Sequence, residues 1–83
     1  MIYDVIEVEV RSDYKVFVRF QDGMQGEVDI SKLVPFKGVF APLQNREYFA
    51  QVFVDSDSGT ICWQNGADIA PETLYAAVRE AAA

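Results

Sequence analysis

The loop Asp55-Ser-Asp-Ser-Gly59 is the first place where residue type and spacing could do chemistry, since alternating carboxylates are how proteins hold calcium. A calcium loop needs oxygen donors at its first, third and fifth positions and a bidentate Glu at its twelfth; here the fifth is Gly59 and the twelfth is Gly66. Every residue of the loop favours a tight turn through side-chain to backbone bonds or positive φ, so a hairpin connection is preferred over a metal site. Asp55, Asp57 and Asp68 are also the carboxylates on offer for acid and base work. Acids in a polar loop, however, have no reason to carry the raised pKa that such work needs. Cys62 is the single thiol, and the chain has no histidine. Without His, a nucleophilic cysteine would need a neighbouring cation or helix N-terminus, and a buried inert thiol is the plainer expectation. The same absence removes Ser/His/Asp and Cys/His catalysis together with ordinary zinc sites. The expectation is a protein that is not an enzyme and uses no cofactor; the rival reading is a small-ligand or enzymatic domain built on Cys62 or the Asp55, Asp57 and Asp68 carboxylates.

Binding candidates form two groups. Trp63, Asn65, Gly66, Asp68 and Tyr75 are the densest cluster of special residues. Read functionally, they make a small polar pocket beside an aromatic ring. Read structurally, Asn65-Gly66 turns the chain, Asp68 bonds backbone near a helix entrance and the rings pack, which is the favoured account. The second group, Phe36, Val39 and Phe40, sits in an apolar stretch punctuated by Gly38 and Pro42. Exposed aromatics in such a loop mark contact surfaces, although core duty is as good a reading in so small a protein.

These groups must be carried by one domain spanning residues 1–83, too short for two cores. At 51% hydrophobic, with six Phe, four Tyr and one Trp, the composition excludes disorder. A domain this small buries only about 60–65% of its unfolded surface, so pairing with a copy or a partner would help it. Thirteen acids against seven bases give a net charge of −6, which argues against direct binding to nucleic acid. Arg46 and Arg79 are the only bases after residue 40, against six acids, so the second half is the more acidic. The N-terminus is acidic where a signal peptide is basic, and no stretch approaches the roughly 20 apolar residues of a membrane span. With one cysteine and no internal disulfide open to it, the expected setting is the cytoplasm.

Alternation supplies the strands. Ile6, Val8 and Val10 are expected to face one way within residues 2–11, and Glu7, Glu9 and Arg11 the other. Tyr14, Val16, Val18 and Phe20 repeat the pattern after a Ser12-Asp13 turn, with Phe17 interrupting the polar face. Asp22-Gly23 then predicts a two-residue type I′ hairpin turn into a third strand over 24–30. Asp29 reads as the cap of one helical turn stopped before Pro35, and residues 36–44 read as a loop. Asn45 reads as the cap of a short turn reaching Ala50. Residues 51–55 and 60–63 make a second hairpin, and Pro71 with Glu72 opens a helix over 71–82 whose Leu74, Ala77, Val78 and Ala81 share a face. The fold class is α+β: a three-stranded antiparallel meander, a short helical connection, a two-stranded hairpin and a C-terminal helix, in the order βββαββα. No internal repeat stands out.

Val18-Arg-Phe-Gln-Asp-Gly23, Gly26-Glu-Val-Asp-Ile30, Gly38-Val-Phe-Ala-Pro-Leu43, Tyr48-Phe-Ala-Gln-Val52, Trp63-Gln-Asn-Gly-Ala-Asp-Ile69 and Pro71-Glu-Thr-Leu-Tyr75, taken in order, resemble the bacterial family catalogued as domain of unknown function 2442. The resemblance spans nearly the whole chain and implies the same α+β order of elements. It implies no activity. Some relatives carry a helix-turn-helix domain after this one, and others look like members of toxin–antitoxin gene pairs. The missing catalytic residues, the acidity and the apolar loop point to work by protein contact, either with a more basic, toxin-like partner in the antitoxin manner or as a homodimerising sensor part of a transcriptional regulator. Ala70 departs from the Asp or Ser that members commonly place before the Pro, which leaves Asp68 to cap the helix.

Overall fold

The computed structural model describes residues 3–82. Strands β1 (Val5–Val10), β2 (Lys15–Phe20) and β3 (Gln25–Asp29) form an antiparallel sheet in that order. Helix α1 (Ile30–Leu33) follows directly, then a 3₁₀ helix over Gly38–Gln44 and helix α2 (Arg46–Phe49). Strands β4 (Phe53–Asp55) and β5 (Thr60–Cys62) pair as a second, antiparallel hairpin, and helix α3 (Pro71–Ala82) closes the chain's fold by packing on β3. The expected α+β order is the observed one.

The core forms where the pleat puts every second residue on one face. Val16, Val18 and Phe20 of β2 are fully buried, flanked by Val28 of β3 and Val5 of β1. Ile30, Leu43, Phe49, Ile61, Trp63, Leu74 and Val78 converge on them from α1, the 3₁₀ helix, α2, β5 with the residue after it, and α3. On the outer face Glu7 pairs with Arg19 and Glu9 with Arg11, while the Arg11 guanidinium lies 5.0 Å from the centre of the Phe17 ring. The half-buried Phe17 is thus covered by the arginine that follows β1. Gly26 lets α3 approach, since a Cβ there would lie 2.9 Å from Val78 Cγ1.

Several local expectations are corrected. The β1–β2 register slips between Val5 and Glu7, so Val5 faces Phe20 across the ladder while Val8 still faces Val18. Ile6 takes up the extra residue of this bulge and points out, 55% exposed, instead of joining Val8 and Val10. The part of the expected first strand at residue 2 lies outside the described residues. Tyr14 sits in the turn between β1 and β2, beside Asp13 at φ 52°, and not in the strand. Residues 51 and 52 belong to the exit from α2, where Gln51 and Val52 amides donate to the Tyr48 and Phe49 carbonyls, so β4 begins at Phe53. The stretch 36–44 is largely a 3₁₀ helix, its Gly38 at φ 56° and its buried Leu43 seated in the core. Single 3₁₀ turns carry no extended periodicity, which is why the stretch reads as a loop.

The caps behave as their residue types dictate. Asp29 accepts from the Ser31 amide at the start of α1, and Val34 returns to extended geometry before Pro35. Asn45 accepts from both Glu47 and Tyr48 amides at the start of α2. Buried Pro71 opens α3 with its φ already set for a helix. Along α3, Leu74 and Val78 face the sheet; Ala77 is half-buried and Ala81 exposed, so the apolar stripe is wider than the sheet covers.

Candidate functional site

Phe20-Gln-Asp-Gly-Met24 connects β2 to β3, and its backbone is not type I′, because only Gly23 has positive φ, at 93°. The Gly23 amide donates to the Phe20 carbonyl at 3.0 Å and the Phe20 amide to the Met24 carbonyl at 2.8 Å, which makes a three-residue loop with glycine at its left-handed position. The Asp22 carboxylate closes it by accepting from the Met24 amide at 2.9 Å. Trp63-Gln-Asn-Gly-Ala67 repeats the geometry. Gly66 stands at φ 90°, its amide donates to the Trp63 carbonyl at 3.0 Å, the Trp63 amide donates to Ala67 at 2.9 Å, and the Ala67 amide donates to Asn65 Oδ1 at 3.1 Å. A bridge between Cys62 and Asp68 continues this third, narrow hairpin.

The second side-chain atom of each Asx residue reaches a different partner. Asp22 Oδ2 accepts from the Tyr75 hydroxyl at 2.6 Å, fastening α3 to the β2–β3 turn. Tyr75 packs edge-on against Tyr3 and Phe20 there. That bond, with the Met24 amide, holds the Asp22 carboxyl below the usual carboxylate range, and the same bond pushes the Tyr75 hydroxyl above its ordinary value. Asn65 Nδ2 donates to the Val39 carbonyl at 2.8 Å, and the Asn65 amide donates to the Tyr48 hydroxyl at 3.1 Å.

This joins the two groups of candidates singled out in the sequence. Asn65, from the pocket group, grips Val39, from the contact group, across 26 residues of chain. The 3₁₀ segment is held at its other end as well. Tyr14 donates its hydroxyl to the Gln44 carbonyl at 2.5 Å, Gln44 Nε2 donates to the Phe36 carbonyl at 2.9 Å, and the Tyr14 ring packs edge-on against Phe36 and Phe49. Phe36 and Phe40 are half-buried on the core, whereas Val39 stands 49% exposed. Trp63 is 1% exposed with its indole donating to the Phe49 carbonyl at 3.0 Å, so its ring is a core residue beneath the clamp.

The rest of the pocket group divides. Tyr75 is engaged at the β2–β3 turn and Asp68 is exposed, bridged through its backbone to Cys62. The Thr60 hydroxyl, buried, donates to the Ile69 carbonyl at 2.5 Å and pins the approach to α3; the Ala70 carbonyl accepts from Thr73 and Leu74. Cys62 is buried, and burial first, then the Asp55 and Asp68 carboxylates, pushes its thiol up, away from the thiolate that nucleophilic work requires. Asp55 Oδ1 accepts from the Asp57 amide at 3.0 Å, so the acidic loop uses that carboxylate to shape its own turn.

Sequence reasoning missed Tyr14 and Gln44 as members of the clamp, and missed Ile6 and Phe53 as exposed apolar residues, at 55% and 44%. Tyr14 carried a signal, a large polar-tipped aromatic next to a turn; Phe53 did not, since its alternation reads the same on either face.

A three-stranded antiparallel sheet, a two-stranded hairpin and a C-terminal helix packed on β3 make this an α+β domain. The chain belongs to the protein family of unknown function DUF2442, whose family model matches residues 5–80. No curated protein and no solved structure matches it. No helix among the described residues is long and apolar enough to cross a membrane.

Proposed function

We propose that this domain is a non-catalytic protein-interaction module of the cytoplasm, acting as an acidic, antitoxin-like partner of a basic protein or as the sensor and oligomerisation part of a regulator. The observation that carries the reading is Val39: a branched apolar side chain held half out of the surface while hydrogen bonds fix its segment at Asn65, Gln44 and Tyr14. A contact residue already held in place loses little conformational freedom on binding, which is how a small surface gains affinity. The net charge of −6 adds attraction toward a basic protein.

The test is co-expression with the product of the adjacent gene, followed by mass measurement in solution. The expected result is a complex of defined stoichiometry, or a dimer of this chain, that Val39→Arg weakens at least about tenfold with the circular dichroism unchanged. A monomer whose mass is the same with and without the neighbour's product would overturn the proposal. The rival reading, chemistry at Cys62 or at Asp55, Asp57 and Asp68, predicts rapid thiol modification in the native state or a thermal shift with divalent metals.

A further inference from the structure

Helix α3 leaves apolar surface uncovered along its junction with α1 and β3. Leu33 at the end of α1 and Ala76 and Ala77 on α3 form the floor of a shallow groove, two adjoining depressions of about 440 and 330 Å³ that share Leu33, Ala77 and Glu80. Its rim is acidic: Glu72 and Glu80 stand on α3 and Glu27 on β3. Asp29 also lines it but is occupied in capping α1, and Lys32 is the one base among the lining residues. From Glu72 to Ala81 the α3 side of the groove runs roughly 13 Å at about 1.5 Å per residue, the length of two to three helical turns. The small alanine side chains allow a partner's backbone to come close, as small residues do wherever helices approach tightly.

We propose that this groove docks a basic amphipathic helix of a partner protein, its apolar face on Leu33, Ala76 and Ala77 and its Lys or Arg side chains against Glu27, Glu72 and Glu80. Charge decides among occupants. A second copy of this chain meeting the groove with its own would bring the same carboxylates against this rim, and a nucleic acid or an anionic membrane would bring phosphates; each is repelled. A segment that is apolar on one side and cationic on the other satisfies floor and rim together. The inference rests on the domain being a protein-interaction module, and adds a second surface to the one displaying Val39.

The experiment titrates the ¹⁵N-labelled full chain with a synthetic Leu/Lys amphipathic peptide of about three helical turns, beside a peptide of identical composition whose apolar face is scrambled. Amide shifts are expected at residues 27–33 and 72–81, with affinity falling at least about tenfold for the scrambled peptide and for Ala76→Arg. Glu27→Gln, Glu72→Gln and Glu80→Gln combined should weaken binding and flatten its salt dependence. These four positions are exposed, so the variants should keep the fold. Equal binding of both peptides, shifts confined to residues 36–44, or no shifts at all would each overturn the groove. The wider reading has its own readout: if Ala76→Arg leaves the complex with the neighbour's product intact while Val39→Arg disrupts it, the groove falls and the interaction module stands. If no complex or dimer forms with the unaltered chain, it is the module that falls.

Discussion

The turns at 21–23 and 64–66 have the same aromatic-Gln-Asx-Gly sequence and the same main-chain bonds, and differ in one side-chain atom. Both Asx residues use one oxygen to close their own loop. The remaining atom of Asp22 accepts and recruits a hydroxyl from α3; the remaining atom of Asn65 donates and recruits a carbonyl from the 3₁₀ segment. Local backbone is therefore set by Asx-Gly, while the choice of distant partner is set by whether the second atom gives or takes a proton. One such turn holds a helix to a sheet, and the other holds a binding candidate to the core.

The comparison can be strained at the aromatic that begins each turn. Phe20 is 0% and Trp63 1% exposed, so Phe20→Ala and Trp63→Ala should each cost about 3–5 kcal/mol in chemical denaturation, enough to unfold much of so small a domain. Trp63→Ala also leaves the Phe49 carbonyl without its donor. A smaller effect tests the shared backbone. Gly23→Ala and Gly66→Ala meet no atom within 4 Å, so their cost is conformational alone, about 1–2 kcal/mol and equal at the two sites. Clearly unequal costs would mean the two loops are not equivalent.

Exchanging the Asx residues separates them. Asn65→Asp sets a carboxylate oxygen against the Val39 carbonyl, which cannot donate, and should cost about 1–2 kcal/mol while speeding amide exchange across 38–44. Asp22→Asn should cost less, because the Tyr75 hydroxyl can still accept from the new amide, so only the charge assistance of the bond is lost.

The smallest expected effect is in pH. Asp22 has its pKa lowered by folding, so its contribution is present above the ordinary carboxylate titration, near about pH 4, and is lost as pH falls through the lower folded value. Tyr75 has its pKa raised, so its contribution is present below about pH 10 and is lost as pH rises through the higher folded value. Asp22→Asn should therefore flatten the acid limb of a stability profile slightly, whereas Asn65→Ala, which removes an amide, should shift the whole limb without changing its slope. A change of slope with Asn65→Ala would show that the two turns are coupled.

What was legible in the sequence follows the same division. Alternation through Val16, Val18 and Phe20 and the spacing of Leu74 and Val78 found the sheet and the helix, because burial on one face writes its period into the chain. Asp29 and Asn45 announced their caps, since capping is chemistry within three residues. The bulge at Ile6 was not legible, because Val5 and Ile6 are both apolar and either could continue the inward alternation of Val8 and Val10. Nor was the clamp. Asn65 and Val39 meet only after the sheets and α2 have placed them, and a residue type that serves a turn equally well with or without a distant partner cannot reveal which it has.

The main-chain bond from Val5 to Gly59 joins the first strand to the second hairpin, while that from Gln21 to Asp4 ties the two ends of the β1–β2 pair together. Val5 and Gly59 lie more than fifty residues apart, so the loop they close costs more chain entropy than any hairpin in the molecule. During synthesis the meander β1–β3 can be complete long before residue 59 has left the ribosome, and the Val5 amide has no partner there until it does. Gly59 is suited to the late meeting: at φ 69° it takes a backbone that few residues accept, and a Cβ on it would fall 2.6 Å from the Asp4 carboxylate. The union of the two halves of this domain thus depends on a glycine in the loop of the second hairpin, on behalf of a strand at the chain's beginning.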